Sequence, residues 1–155
     1  MLTDAQKVTL KADILAHQDT ADVYGIGNLS TLADIYNAQA SPVFTVWRSS
    51  LTAEQARAAV SGGDGLGQLD NLTVGKRDAL LWLFEGTTQP GNAAQRDAIQ
   101  SLCGTQNTLK AAITAAQKRT ASRIEKLFAT GTGSDASPAT LVVEGPAAYQ
   151  EFIGL

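Results

Sequence analysis

The chain has 155 residues, of which 44% are hydrophobic and 17% are charged, with a net charge of -3. This length supports one modest hydrophobic core, and an acidic pI of about 5.0 argues against nonspecific nucleic-acid binding by the protein as a whole. Cys103 and His17 are the only residues of their types, so an internal disulfide and a thiolate–imidazole zinc site are both excluded within one chain. No apolar run reaches the roughly 20 residues of a membrane helix, and we expect a soluble, intracellular protein with no membrane partner.

The N-terminal segment is predicted to form two helices with a break between them. Thr3 and Gln6 have capping-box spacing, which predicts a helix from Asp4 to His17. The glycines of QDTADVYGIGN interrupt the helical pattern, and a second helix is predicted over Leu29–Gln39. The expected buried face of the first helix consists of Ala5, Val8, Ala12 and Leu15.

A connector and a short helix are predicted next. The segment SPVFTVWRS around Pro42 is β-prone but short, and we expect an extended connector whose Trp47 anchors the core. Thr52 and Gln55 repeat the capping-box spacing and predict a short helix that ends near Val60. The segment SGGDGLGQLDN is then predicted to be a flexible loop.

Two further helices are predicted in the second half of the chain. Thr73–Glu85 is dense in large apolar residues and is predicted to be the strongest core helix, with Gly86 ending it. Asn92 can cap a following helix that ends near Cys103.

The stretch from Thr105 to Gly131 is predicted to be one long basic helix, because its apolar residues recur at roughly 3.6-residue spacing. The cations that lie largely off this apolar stripe are Lys110, Lys118, Arg119, Arg123 and Lys126. Set against Glu125, which the pattern assigns to the surface, they give the helix a charge of +4 and leave -7 for the rest of the chain. A helix of one sign on a body of the other favours ordered assembly over catalysis.

The chain changes character after Gly131. GTGSDASP is small and polar, which predicts mobility unless it is held. Thr140–Val143 is predicted to be a short strand, which needs an edge to pair with in this chain or another. We therefore expect a helical domain over residues 1–130 and a C-terminal arm over residues 131–155. Removal of residues after Gly133 is expected to leave a folded monomer that no longer assembles.

A search for chemistry in the sequence yields no catalytic, metal or cofactor site. His17 is expected to face solvent or to cap its helix. A phosphate-binding loop before Gly75 and Lys76 would need a glycine where Asp70 stands, and Arg77 replaces the Ser or Thr that would bind magnesium. Asp64 and Asp70 lack the alternating acidic spacing of an EF-hand. We expect no enzyme and no cofactor.

The predicted basic helix has two interpretations. It is either a solvated face or charge partner for the acidic body, or an interface with an acidic partner or with nucleic acid. Phe128 is the only aromatic residue among these cations and belongs to the apolar stripe, which disfavours base stacking. Contact with a nucleic-acid backbone inside a channel stays open.

Several phrases of the sequence together resemble a family of small virion proteins of tailed bacteriophages, encoded among head and connector genes. They are SPVFTVWRSSLT, LDNLTVGKRDALLWLFE and KRTASRIEKLFATGTGSDASPATLVVEGPAAY. The matching residues are Trp47 in the first phrase, Asp70, Asn71, Leu72, Val74, Gly75 and Lys76 in the second, and Glu125, Leu127–Gly133, Ala136–Thr140 and Glu144–Gly145 in the third. The resemblance covers the chain from Ser41 onward.

The resemblance implies a head-to-tail adaptor or head-completion protein: a helical bundle that forms a ring of about twelve copies beneath the portal. Its implied partners are further copies of itself, the portal protein and a tail or stopper protein, with DNA contact in the ring lumen left open and the virion neck as its location. The alternatives are a capsid cement protein, a tail terminator and a DNA-binding packaging accessory protein.

The expected fold is therefore all-α, a bundle of five to six helices with one long basic helix and an extended C-terminal arm. Charge at the contact with the portal or a neighbour is expected from Lys110, Lys118, Arg119, Arg123 and Lys126. The apolar residues expected to bury in an adjacent subunit or partner are Leu141, Val142, Val143, Tyr149, Phe152 and Ile153.

Overall fold

The computed structural model describes residues 1–62 and 65–155. It is 56% helical, which confirms the prediction of a mostly helical protein. The described residues form nine α-helices, two short strands and a 3-10 turn, rather than five or six helices. No helix in this described part is both long and apolar enough to cross a membrane.

The elements are α1 (Asp4–Ala16), α2 (Gln18–Gly25), α3 (Leu29–Asn37), β1 (Thr45–Trp47), α4 (Ala53–Ser61), α5 (Gly65–Leu69), α6 (Val74–Leu83), α7 (Ala93–Cys103), α8 (Asn107–Ala116), β2 (Lys118–Thr120), α9 (Arg123–Phe128) and the 3-10 turn (Tyr149–Phe152).

The chain divides into two compact units. Unit 1 consists of Met1–Val46 and Thr120–Leu155, and unit 2 consists of Trp47–Arg119. The chain passes from one unit to the other within β1 and again within β2, and these two strands pair with each other. This division differs from the predicted boundary at residue 130, because the C-terminal residues belong to unit 1 instead of extending as a separate arm.

Helix α1 begins as predicted, but it presents the opposite face to the core of unit 1. The reciprocal capping of Thr3 and Gln6 is present. Leu10 and Ile14, one turn apart, are fully buried, and they pack against residues of α3, α9 and the C-terminal segment. The face predicted to be buried is wrong, because two of its four residues are alanines, which bury far less apolar area than leucine and isoleucine. The residues of that face, all exposed, are Ala5, Val8, Ala12 and Leu15.

The segment predicted to break the helical pattern after His17 is instead helix α2, which ends at Gly25. Its glycines end the helix and do not prevent it: Gly27 has a φ of +72°, which a glycine adopts without the usual steric cost. The next helix, α3, is capped by Asn28, whose side-chain oxygen accepts a hydrogen bond from the Thr31 amide at 3.2 Å.

Unit 2 is built from α4 to α8 around one apolar cluster. The predicted capping box of Thr52 and Gln55 and the predicted cap at Asn92 are both present. Helix α5 occupies part of the predicted loop, while Gly63 and Asp64 of that loop lie outside the described residues. The buried cluster includes Leu51, Val60, Leu80, Phe84, Ile99, Leu109 and Ile113.

Helix α6 is less buried than a central core helix. Leu80 and Phe84 are buried, but Val74, Leu81 and Trp82 are 65%, 48% and 70% exposed. The helix therefore contributes one face to the core and presents a second apolar face outward.

The single long helix predicted over 105–131 is wrong, because the chain forms α8, β2 and α9 in that range. Ser122 begins α9 by reciprocal capping: its hydroxyl accepts from the Glu125 amide at 3.4 Å, and the Glu125 carboxylate accepts from the Ser122 amide at 3.0 Å. These side chains give the backbone a new helix start, and the residues just before it hydrogen bond to β1. The apolar periodicity thus continues across two helices that are separate.

The strand predicted over Thr140–Val143 does not form, although the region does find pairing partners in its own unit. Thr140 bridges to Thr130, and Ala139 bridges to Val46. Ala139 is fully buried beside Val46 and Ala121 in a small second cluster of unit 1. The C-terminal segment is therefore held by the unit to which it belongs.

Candidate partner-binding surfaces

The five cations predicted to share one helix face are divided between the two units. Lys110 lies on α8, and Lys118 and Arg119 lie in β2, all within unit 2. Arg123 and Lys126 lie on α9 in unit 1. All five are half-buried, and they do not lie on a single helix.

Arg123 is held by acidic and aromatic side chains of its own unit. Its Nη1 lies 2.9 Å from Asp19 Oδ2, and its Nη2 lies 3.5 Å from Asp13 Oδ2. The guanidinium carbon lies 4.8 Å from the centre of the Tyr36 ring, a cation–π arrangement. The Tyr36 hydroxyl donates to Asp13 Oδ2 at 2.5 Å, which closes the network.

The pKa shifts of Tyr36, Asp19 and Arg123 reflect burial and the pairing of Arg123 with carboxylates. Burial raises the pKa of Tyr36, and the neighbouring Asp13 carboxylate adds to that increase. Burial acts to raise the pKa of Asp19, but the hydrogen bond and charge of Arg123 outweigh it and leave that pKa lowered. Burial acts to lower the pKa of Arg123, and the bond to Asp19 reverses this. Arg123 therefore stabilises unit 1 and does not offer a free cation to a partner.

A cleft of about 570 Å³ in unit 1 is lined by Arg123 and its two carboxylate partners, and Lys126 lines it too. Its Nζ donates to the Ser41 carbonyl at 3.5 Å and lies 5.8 Å from the Phe44 ring centre. His17 also lines the cleft; its Nδ1 lies 2.8 Å from the Asp13 carbonyl oxygen and its side chain is 53% exposed. The cleft carries both signs of charge, which favours solvation over binding one strongly charged ligand.

The six apolar residues of the C-terminal segment differ in burial. Phe152 is 1% exposed and packs against Tyr36 with ring centres 5.7 Å apart, so its own unit covers it. The expectation that Phe152 buries in an adjacent subunit is therefore wrong, because its own unit already covers it. The remaining five are the half-buried Leu141 and Val143 and the exposed Val142, Tyr149 and Ile153.

Glu125 is a structural residue that the sequence pattern misassigned to the surface. It is 3% exposed, and besides capping α9 its carboxylate accepts a hydrogen bond from the Gly145 amide at 3.0 Å. It thereby ties the C-terminal segment to α9. The Ser122-x-x-Glu125 spacing was the available signal for this role.

Two exposed apolar surfaces were missed by the sequence analysis. One is the outer face of α1, and the other surrounds the outer face of α6 in unit 2. The signal for both is an excess of apolar positions, because each helix carries more of them than one core-facing stripe requires. Surfaces of this kind are typical of protein–protein contacts.

The described residues contain no group of three or more metal-ligating side chains. Cys103 is fully buried, and burial raises the pKa of its thiol, which disfavours the reactive thiolate. No protein-family model, curated protein or solved structure matches this chain.

Proposed function

We propose that this protein is a structural subunit of a tailed-bacteriophage virion, a head-to-tail adaptor that forms a ring between the portal and the tail. The observation that carries an assembly role is the presence of an exposed apolar surface in each of the two units. Single exposed apolar residues are ordinary, whereas contiguous patches mark contacts with other proteins. The resemblance of the sequence to small virion proteins supplies the identity of the assembly.

The phrases that carry this resemblance have structural explanations in this fold. In the ATGTG phrase, Gly133 has a φ of +66°, and a Cβ at this position would overlap the Phe44 ring. In the ASPAT phrase, Ala139 is fully buried. Shared residues at packing positions support a shared fold and a structural role, because packing, not chemistry, constrains them.

A DNA-binding accessory role has less support. Arg123, one of the five cations it would require, is paired with two carboxylates in its own unit. The salt dependence of DNA binding comes from cations free to replace the counterions of phosphate groups. A capsid cement protein and a tail terminator are distinguished from an adaptor by copy number.

Copy number in purified virions of the encoding phage tests the proposal. Quantitative mass spectrometry against the portal protein is expected to give about twelve copies per particle, as a single ring requires. Copies in the hundreds would identify a cement protein instead. Absence from the virion, together with DNA affinity that falls steeply with salt, would identify a packaging accessory protein.

A further inference from the structure

The outer face of α1 is an apolar ridge that unit 1 leaves uncovered. Its four residues are spaced by three, four and three positions, which places them in one line along the helix. Val8 and Leu15 are 70% and 57% exposed, and Ala5 and Ala12 are exposed beside them. A line of this spacing is the pattern by which one helix packs into a groove of another element. We call it the α1 ridge.

Unit 2 contains a concave apolar surface, whereas the α1 ridge is a convex apolar one. A groove of about 320 Å³ lies among α4, α5 and α6. Leu66 and Leu81 line it while 53% and 48% exposed, and its charged lining residues are Arg57 and Glu85. Trp82, which follows Leu81 in the chain, is 70% exposed, and exposed tryptophan is enriched at protein interfaces. We call this surface the unit 2 groove.

Charge complementarity indicates that the occupant of the groove is a second copy of this chain. Unit 1 contains nine acidic and four basic residues, a net charge of -5, whereas unit 2 contains six and eight, a net charge of +2. The ridge itself is flanked by the exposed Asp4 and Lys11. One acidic and one basic side chain thus flank the ridge, and the groove lining likewise contains one basic and one acidic side chain, Arg57 and Glu85, so each charge has a possible partner of opposite sign.

Pairing of two α1 ridges with each other is less favourable. The helix that carries the ridge has only 13 residues, fewer than the three to four heptads of a stable coiled coil. Half of its apolar residues are alanines, and two acidic units would face each other. A convex ridge fits a concave groove better than it fits its own copy.

We propose that the α1 ridge of one copy binds in the unit 2 groove of a second copy. Because the two surfaces differ, the contact is heterologous and repeats from copy to copy, which gives a ring when the rotation closes. It would build the ring of the proposed adaptor, but it requires only this chain. The contact and the virion assignment can therefore be tested separately.

Two surface variants test the contact by complementation. Val8→Asp disables the ridge and Leu81→Asp disables the groove, and both positions are exposed, so the fold is expected to persist by circular dichroism. Each variant alone is expected to self-associate at least about 30-fold more weakly than the wild type, the loss expected for a central interface residue. An equimolar mixture is expected to form a two-chain complex that grows no further, because only one ridge and one groove remain intact. Val43→Asp, at another exposed apolar position (62%), is the matched control and is expected to associate as the wild type does.

Several results would overturn the contact. Wild-type protein that stays monomeric in native mass spectrometry, up to the highest concentration that remains in solution, would exclude it. Undiminished association of Leu81→Asp would indicate pairing of like surfaces, and a mixture without a two-chain complex would exclude the ridge-to-groove arrangement. A two-chain complex together with a virion copy number in the hundreds would retain the contact and reject the adaptor.

Discussion

The backbone of Gly133 lies directly against the Phe44 side chain, and Thr45 donates its amide hydrogen to the Gly133 carbonyl at 2.7 Å. These contacts connect the start of the C-terminal segment to the residues that lead into β1. Only glycine combines the positive φ with the close approach of an aromatic ring. The ATGTG phrase is therefore a packing requirement at the scale of one residue.

Substitution of Gly133 tests this requirement. Gly133→Ala is expected to lower the free energy of unfolding by about 2–4 kcal/mol, because the new methyl group overlaps the ring and the left-handed backbone becomes strained. Gly75→Ala is the control, because Gly75 lies in α6 and a Cβ there meets nothing within 4 Å. Urea unfolding of both variants measures the difference, and an equal response of the two would contradict this account.

The Asp19–Arg123 pair gives a second residue-scale prediction. Since the folded pKa of Asp19 is lowered, the pair stabilises the fold above the unfolded pKa of about 3.9, and this stabilisation is lost as the pH falls through the folded pKa. Asp19 is 59% exposed, so Asp19→Asn is expected to cost less than about 1 kcal/mol at pH 7. The difference from wild type is expected to shrink as the pH falls below the unfolded pKa of about 3.9 and through the lower folded pKa. Urea unfolding at pH 7 and at acidic pH measures the loss of stability in Asp19→Asn, with Asp34→Asn, at another exposed position, as the control. A loss that does not change with pH, or that equals the loss in Asp34→Asn, would contradict a stabilising Asp19–Arg123 pair.

At the scale of elements, local capping signals could be predicted from the sequence and long-range pairing could not. The starts of α1, α4 and α7 are confirmed because a cap needs only residues within four positions of each other. The pairing of β1 with β2 joins segments far apart in the chain. Neither strand has a sequence pattern long enough to predict it.

The candidate partner-binding surfaces were also predicted poorly, because they too depend on contacts between residues far apart in the chain. A helix with two apolar faces does not reveal which one is buried, because burial depends on the elements that pack against it. Helix α1 is the example, since its outer face has the regular spacing and its inner face has the larger residues. Arg123 is similar, because its partners lie on α1, α2 and α3.

The Glu125 cap tests the division of the predicted long helix into α8 and α9. Glu125→Ala removes the acceptor of both the Ser122 and the Gly145 amides and is expected to cost about 2–4 kcal/mol, as buried charge-assisted hydrogen bonds are lost. Glu125→Gln keeps one acceptor oxygen and is expected to lose less. Thermal unfolding measures both, and a negligible effect of Glu125→Ala would support a surface position on a continuous helix.

At the scale of the whole molecule, the C-terminal segment is part of unit 1. The Asn37 side chain donates to the Ala147 carbonyl at 3.0 Å and accepts from the Ala147 amide at 2.7 Å. Tyr24 donates to the Leu155 carbonyl at 2.5 Å, and Phe152 fills the core. Removal of residues after Gly133 is therefore expected to unfold unit 1, and not to leave the folded monomer that the sequence alone predicts.

Substitution of the neighbouring residues Phe152 and Ile153 tests whether the C-terminal segment is part of the core of unit 1. Phe152→Ala is expected to cost about 3–5 kcal/mol of stability, as for a large side chain removed from a core. Ile153→Ala, at a position 54% exposed, is expected to change stability by no more than about 0.5 kcal/mol. Calorimetric unfolding of the two variants gives the comparison, and similar stability of both would indicate that the C-terminal segment is not part of the core.

We propose that copies of this chain assemble on a phage portal. The most direct test of this proposal is the mass of the purified protein, alone and after mixing with the portal protein of the phage proposed to encode it. A closed complex of about twelve copies, formed alone or only on the portal, is the predicted result. A persistent monomer that ignores the portal and coats empty capsids would contradict the claim and identify a cement protein.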